Sequence, residues 1–150
     1  MGVGIYGGLH NVDVAAMVRE EASIYGEIYE ERNIKCNISG AESLVVTMNR
    51  TLAITLIGNL IRNAYIHSPE GGSIDITINF DRLEISNDGT EPLDAEHVFD
   101  RFYRATKREG STGLGLALVK AIGDYYSLGV EYQFADNRHI FTIIRPKNLN

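Results

Sequence analysis

Three features are scarce in this 150-residue chain, and each scarcity excludes a class of protein. Cys36 is the single cysteine, so no intrachain disulfide can form. It alternates with Ile34 and Ile38 in a strand-like run, which reads as a buried structural thiol. No apolar run reaches the roughly 18 residues that a membrane span requires. The opening stretch, MGVGIYGGLH, has neither a basic start nor an apolar core, so it does not read as a signal peptide. Basic residues are also in the minority, with 14 Lys and Arg against 20 Asp and Glu and a net charge of −6. Bulk electrostatics therefore offers nothing to a nucleic acid or an anionic membrane surface. An anionic ligand would need a local cradle of backbone donors, cations or a metal. The implied compartment is cytoplasmic.

What is present is an ordinary globular composition, 44% hydrophobic and 23% charged, at a length suited to one domain. The glycines of residues 1–11 suggest a flexible linker, leaving 12–146 as the folded domain and 147–150 as a tail. Residues 12–32 carry apolar side chains at loosely helical spacing, and 34–38 and 44–48 read as short strands. Residues 52–67 predict a helix stopped at Ser68-Pro69, because proline disfavours the helical conformation in its predecessor. In 73–80, Ile74, Ile76, Ile78 and Phe80 alternate with polar residues, and 83–87 follows as the second arm of an antiparallel hairpin. A short helical piece is expected over 98–104. Residues 114–125 predict an amphipathic helix with a stripe of Leu114, Ala117, Leu118, Ala121, Ile122 and Tyr125. Strands over 128–134 and 139–145 close the chain. The pattern predicts an α/β fold, a two-layer sandwich in which a mixed, mostly antiparallel sheet carries about three helices on one face.

Four segments carry candidate chemistry. On the 52–67 helix, Asn63 falls between Leu52 and Leu56 in projection, and Asn59 sits at the edge of the same apolar arc. Half-buried amides need partners, since an unpaired buried polar group costs about 1–3 kcal/mol. Local backbone or a ligand would serve. Gly110-Ser111-Thr112-Gly113-Leu114-Gly115-Leu116 runs straight into the next helix, although glycine is unfavourable there. The run suits either a tight loop or a bare helix N-terminus that receives an anion. Asn87-Asp88-Gly89 follows a strand, which is usually a turn. It also suits a point where a planar ligand meets backbone, with Asn87 or Asp88 as acceptor. Finally, Phe99-Asp100-Arg101-Phe102-Tyr103-Arg104 interleaves rings and cations and reads either as a core plug or as a hinge bearing positive charge.

In this order and spacing, the four segments resemble the ATP-binding catalytic domain of sensor histidine kinases. That family is grouped with the gyrase, heat-shock-chaperone and mismatch-repair ATPases. Asn59-Leu60-Ile61-Arg62-Asn63-Ala64 is similar to the family's asparagine box, the 99–104 string to its phenylalanine box, and 110–116 to its second glycine box. The resemblance covers 12–145 and implies ATP and Mg²⁺ as cofactors. It implies Asn63 as the metal ligand, with Asn59 supporting phosphate or metal-bound water. Gly113, Leu114, Gly115 and Leu116 would bring backbone donors to the phosphates, and Asn87 and Gly89 would floor the adenine pocket. Residues 103–111 would form a lid, with Arg104 on the γ-phosphate. The implied partners are a dimerisation and phosphoacceptor hairpin of the parent kinase and a response-regulator receiver domain. Neither nucleic acid nor direct membrane contact is implied for this segment, although the parent protein can be membrane-anchored.

Three departures stand out. Asn87 occupies the position usually held by aspartate, Glu91 followed by Pro92 replaces a second glycine, and Ile66 stands where a lysine is common. A fourth difference separates subfamilies. Relatives that hydrolyse ATP with water carry a glutamate base four residues before the metal-binding asparagine, where this chain has Asn59. An amide cannot take that proton, so the resemblance implies transfer to a histidine in a His-Glu-(Leu/Ile)-(Arg/Lys) setting. His10, His67, His97 and His139 all lack that setting. His67 reads as a surface residue or pocket wall, and His97 and His139 as solvent-facing or strand-packing. Two alternatives are an anti-sigma-type serine kinase or switch protein, which usually lacks the phenylalanine box, and a degenerate pseudokinase docking domain.

Overall fold

A computed structural model describes residues 8–103 and 114–146 of the chain. In order they form β1 (His10–Asp13), α1 (Val14–Ile28), β2 (Lys35–Gly40), β3 (Val45–Met48), α2 (Arg50–His67), β4 (Ser73–Ile78), β5 (Arg82–Asp88), α3 (Gly115–Tyr125), β6 (Gly129–Ala135) and β7 (Arg138–Ile144). Strand β1 starts inside the stretch that reads as linker and pairs antiparallel with β3, Val12 opposite Val46. Asp13 ends the strand and begins the helix. Its carboxylate accepts from the Ala15 amide, as an N-cap does, and from the Leu44 amide across the ribbon. Asn49 caps α2 through the Leu52 amide. At the other end of α2, Arg32 donates to the carbonyls of Tyr65, Ile66 and Ser68, satisfying groups that a helix C-terminus leaves bare.

The remaining strands form one sheet in the order β2-β4-β5-β7-β6, parallel between β2 and β4 and antiparallel elsewhere. Strand alternation sends Ile74, Ile76, Ile78, Leu83, Ile85, Phe141 and Ile143 to the buried face, where they meet Leu56, Ile57, Leu60, Ile61, Val119 and Ile122 of the helices. Burying each such side chain contributes about 1.5–3 kcal/mol. The opposite face is polar, with rows such as Asn37, Asp75 and Ser86 in register. The predicted two-layer sandwich is therefore the observed one. Two turns fix its edges. Gly40, at φ +106°, ends β2, and a Cβ there would lie 2.1 Å from the Ile78 carbonyl oxygen. Asp136 and Asn137, both at positive φ, make the two-residue β6–β7 hairpin.

Three expectations are corrected. Residues 95–102 form consecutive turns rather than a helix, with His97, Asp100 and Tyr103 each donating three residues back. Strand β4 stops at Ile78, so Phe80 lies in the hairpin turn and is 78% exposed. On α3 the stripe is displaced: Val119, Ile122 and Gly123 are buried, whereas Leu118 and Tyr125 are 44% and 77% exposed. Both sides of α3 are apolar, so periodicity could not choose between them. The choice is made by the packing of α3 on α2. Cys36 is half-buried beside Tyr65, and burial raises its thiol above the ordinary value.

Arg138 at the head of β7 binds the polar face together. It donates to the carbonyl and hydroxyl oxygens of Ser73 on β4 and of Ser86 on β5. It also pairs with Asp75 at 2.7 Å and Asp88 at 2.8 Å. Arg138→Ala removes the donors from four partners at once. It should lower unfolding stability by about 2 kcal/mol, with the exposure of both carboxylates screening the rest, and urea titration measures the loss.

Candidate functional site

Two site regions lie at the ends of these elements. The first is built by helices. Asn59 on α2 is half-buried, and its amide nitrogen donates to the Thr55 carbonyl at 2.8 Å. Its oxygen is therefore turned toward α3: a Cβ on Gly115 would sit 3.2 Å from it. Asn63, one turn further along α2, is half-buried, and its side chain forms no hydrogen bond with another described residue. Among the described residues no side chain caps α3, unlike α1 and α2. Its first turn, including Gly115 and Leu116, therefore presents amide donors and the positive end of the helix dipole. Asn59, Leu114, Gly115 and Leu116 are thus brought to one place. Gly113 and Arg104 lie outside the described residues, as does most of the expected lid. Ile66 is 6% exposed and apolar, so its position offers no cation to a ligand.

The second region is built by the sheet. Asn87 near the end of β5 is 1% exposed, and its amide nitrogen donates to the Asp88 carbonyl at 3.1 Å. Its oxygen accepts from none of the described residues. Asp88, the other acceptor open to the sequence reading, is committed elsewhere. It faces the polar side of the sheet and accepts from the Ser73 amide and Arg138. Burial opposes its ionisation, but these bonds outweigh it and hold the carboxyl below the ordinary value.

Gly89 has a local reason that the sequence did not display. Its amide donates to the Asn137 carbonyl at 2.9 Å, and a Cβ on it would lie 2.2 Å from His139 Nε2. The space beside Gly89 is filled by an imidazole of this chain. His139 is the register partner of Asn87 on the buried face. Its Nδ1 meets the Tyr132 hydroxyl at 2.8 Å, and that hydroxyl accepts from the Leu93 amide at 2.9 Å. Burial holds the imidazole below its ordinary value. Sequence reasoning missed Tyr132 and Leu93 entirely, because only the β5–β7–β6 register brings them to Gly89.

In the aromatic segment, Phe99 packs edge-on against Phe141, with centroids 6.0 Å apart, and the Tyr103 hydroxyl accepts from the Asp94 amide. Phe102 is 65% exposed at φ 67°, with the Arg101 guanidinium over its ring. His97 is exposed and pairs with Asp100, whose hydrogen bond raises the imidazole above its ordinary value. Among the described residues, no cluster of three or more His, Cys, Asp or Glu side chains could hold a metal. Nor does any described helix have the length and apolarity to cross a membrane.

This arrangement is a known one. The model of the histidine kinase-, DNA gyrase B- and HSP90-like ATPases matches residues 48–145, and the chain belongs to that family. It is 33% identical over 122 residues to the sensor-like histidine kinase SenX3 of Mycobacterium tuberculosis, a match covering 75% of this chain and 30% of that protein. It is 32% identical over 119 residues to the heme sensor protein HssS of Staphylococcus aureus, covering 74% and 26%. The chain thus spans less than a third of the length of these relatives. The nucleotide-free catalytic domain of histidine kinase ThkA superposes with a TM-score of 0.83 at 23% identity, covering 94% of this chain and 97% of that one. ThkA in complex with the response regulator protein TrrA gives 0.76 at 24% identity, covering 93% and 42%. The fold is that of histidine kinase catalytic domains.

Gly89→Ala should destabilise the protein by about 1–3 kcal/mol, because the new methyl group overlaps the imidazole. His139→Ala in the same chain should return most of that loss. A double-mutant cycle by urea unfolding checks the coupling, and additive effects would count against this packing.

Proposed function

We propose that this chain is the ATP-binding catalytic domain of a two-component sensor histidine kinase, acting in the cytoplasm. It donates the γ-phosphoryl group of Mg-ATP to a histidine on a helical hairpin of the parent protein, which passes it to a receiver domain. The approach of Asn59 to Gly115 at the start of α3 carries this reading. It brings an amide oxygen to backbone amides at a single point, which suits a metal-bound polyphosphate. Amide oxygen is a hard donor appropriate to Mg²⁺, which takes few protein ligands and completes its shell with phosphate and water. Asn63 would supply that ligand, with Asn59 beside it on phosphate or bound water, and Gly113, Leu114, Gly115 and Leu116 would meet the phosphates. Arg104 would neutralise the γ-phosphate. When bound, the metal neutralises charge on the triphosphate.

Asn59 favours transfer over hydrolysis. Its nitrogen already donates to Thr55, and an amide cannot act as general base toward water. Phosphoryl transfer asks the protein mainly for positioning and charge neutralisation, so the missing base is no obstacle when the acceptor comes from another domain. Adenine would lie against Asn87 and Gly89, its amino group donating to the Asn87 oxygen.

Calorimetry with ATP and Mg²⁺ tests the reading. The parent chain should bind ATP more tightly with the metal, and Asn63→Ala should abolish that gain while leaving metal-free ADP binding unchanged. No heat with millimolar ATP would refute the nucleotide function and favour a docking role. A second titration addresses the base. A charge-assisted hydrogen bond contributes about 1.5–3 kcal/mol against about 0.5–1.5 for a neutral one, so Asn87→Asp should tighten ATP by roughly 1 kcal/mol, about five-fold. Guanine nucleotides, with a carbonyl in place of the amino group, should gain nothing. If Asn87→Asp and Asn87→Ala both bind ATP as the parent does, Asn87 is not the adenine reader.

A further inference from the structure

Residues 89–93 leave the end of β5 where Glu91-Pro92 replaces the second glycine, and both ends of that segment are tied to the β6–β7 hairpin. Gly89 donates to Asn137 and rests on the His139 ring, while Leu93 donates to the Tyr132 hydroxyl. The Tyr132 and His139 rings stack at 5.9 Å, and the Phe134 ring lies tilted against the imidazole at 5.1 Å.

Hydrogen-bond accounting favours one arrangement of the protons. The Leu93 N–H takes one lone pair of the Tyr132 oxygen, so the hydroxyl proton is free to be donated to His139 Nδ1. That bond requires a neutral imidazole with its proton on Nε2. A protonated ring would turn a second donor on Tyr132 and leave the hydroxyl proton to find another acceptor. No charged side chain among these contacts offsets that change. Asn87 and Gly89 face the ring from the end of β5, and Tyr132 and Phe134 face it from β6. Asp88 and Arg138, adjacent in sequence, are paired on the opposite face of the sheet, and Tyr103, beyond Tyr132, takes the Asp94 amide.

We propose that Tyr132 and His139 are positioning residues for the base-binding pocket, holding residues 89–93 against Asn87 while His139 is neutral. The proposal rests on the ATP reading above. It deepens that reading by naming residues of this chain that set affinity without touching the nucleotide.

The test uses the 150-residue chain with a non-hydrolysable ATP analogue and Mg²⁺ from pH 5.5 to 8, alongside Leu93 amide exchange without nucleotide. Tyr132→Phe should weaken binding about five- to tenfold at pH 7.5 and speed Leu93 exchange at least about tenfold. His139→Asn keeps an acceptor near the Nδ1 position and removes the titration. It should bind within about threefold of the parent at pH 7.5. Burial lowers the His139 pKa, so the neutral form persists until the pH falls below 6.5, and there the parent should lose affinity faster than His139→Asn. The analogue's own phosphate titration is common to both proteins. Matching pH profiles for these two, or unchanged binding and Leu93 exchange in Tyr132→Phe, would overturn the proposal. If Tyr132→Phe does not fold, the pH comparison decides. A parent that binds no nucleotide removes the underlying reading instead, and Leu93 exchange still decides whether the relay holds the loop.

Discussion

One guanidinium group, that of Arg138, fixes the register on which the sheet end of the site depends. It sits 17% exposed between partners on β4 and β5 and spreads its donors over two carboxylates, two hydroxyls and two carbonyls. Register matters here because strand side chains alternate, and a slip of one residue moves every inward group outward. Asn87 faces His139 across β5 and β7 only in the observed pairing. The same slip would turn the ionised Asp88 into the core. A charged clamp on the wet face thus selects which polar residues occupy the dry one.

The helical end of the site obeys a different constraint. There the decisive quantity is the separation of α2 and α3, which brings a Cβ placed on Gly115 to 3.2 Å from the Asn59 side-chain oxygen. The hydrophobic contacts of Leu56, Ile57, Leu60 and Ile61 set the position of α2, and Val119 and Ile122 set that of α3. Core packing thereby aims two polar features, an amide ladder and a helix end, at a common point. The region is bipartite in its physics: strand register governs the end that holds Asn87 and Gly89, and helix packing the end that holds Asn59 and Gly115.

Much of this was legible in the sequence because it was local. The isoleucine alternation of β4, the Ser68-Pro69 stop and the asparagine spacing on α2 each depend on a few neighbouring residues. What escaped depends on residues distant in the chain. Gly89 reads as a turn or a ligand approach, and its actual neighbour, His139, lies 50 positions onward. Asp88 looks as available as Asn87 until Arg138 is seen to claim it. The stripe of α3 was misplaced by about one residue because leucines and aromatics line both of its sides, so only the tertiary partner distinguishes them. The 98–104 segment carries helix-compatible residues, but Phe99 anchors to β7 and Tyr103 to Asp94, and turns satisfy those anchors better than a helix.

The N-terminus of α3 also has a thermodynamic side. A helix start without a capping side chain gives up about 1 kcal/mol relative to a capped one. Any ligand that supplies acceptors to those amides and binds only the folded chain restores stability by mass action. At a hundredfold excess over its dissociation constant that gain is about 2.7 kcal/mol. The melting temperature of such a domain is then a property of its surroundings as much as of its sequence. A change in ligand supply shifts the folded fraction and the population of the intact α3 together.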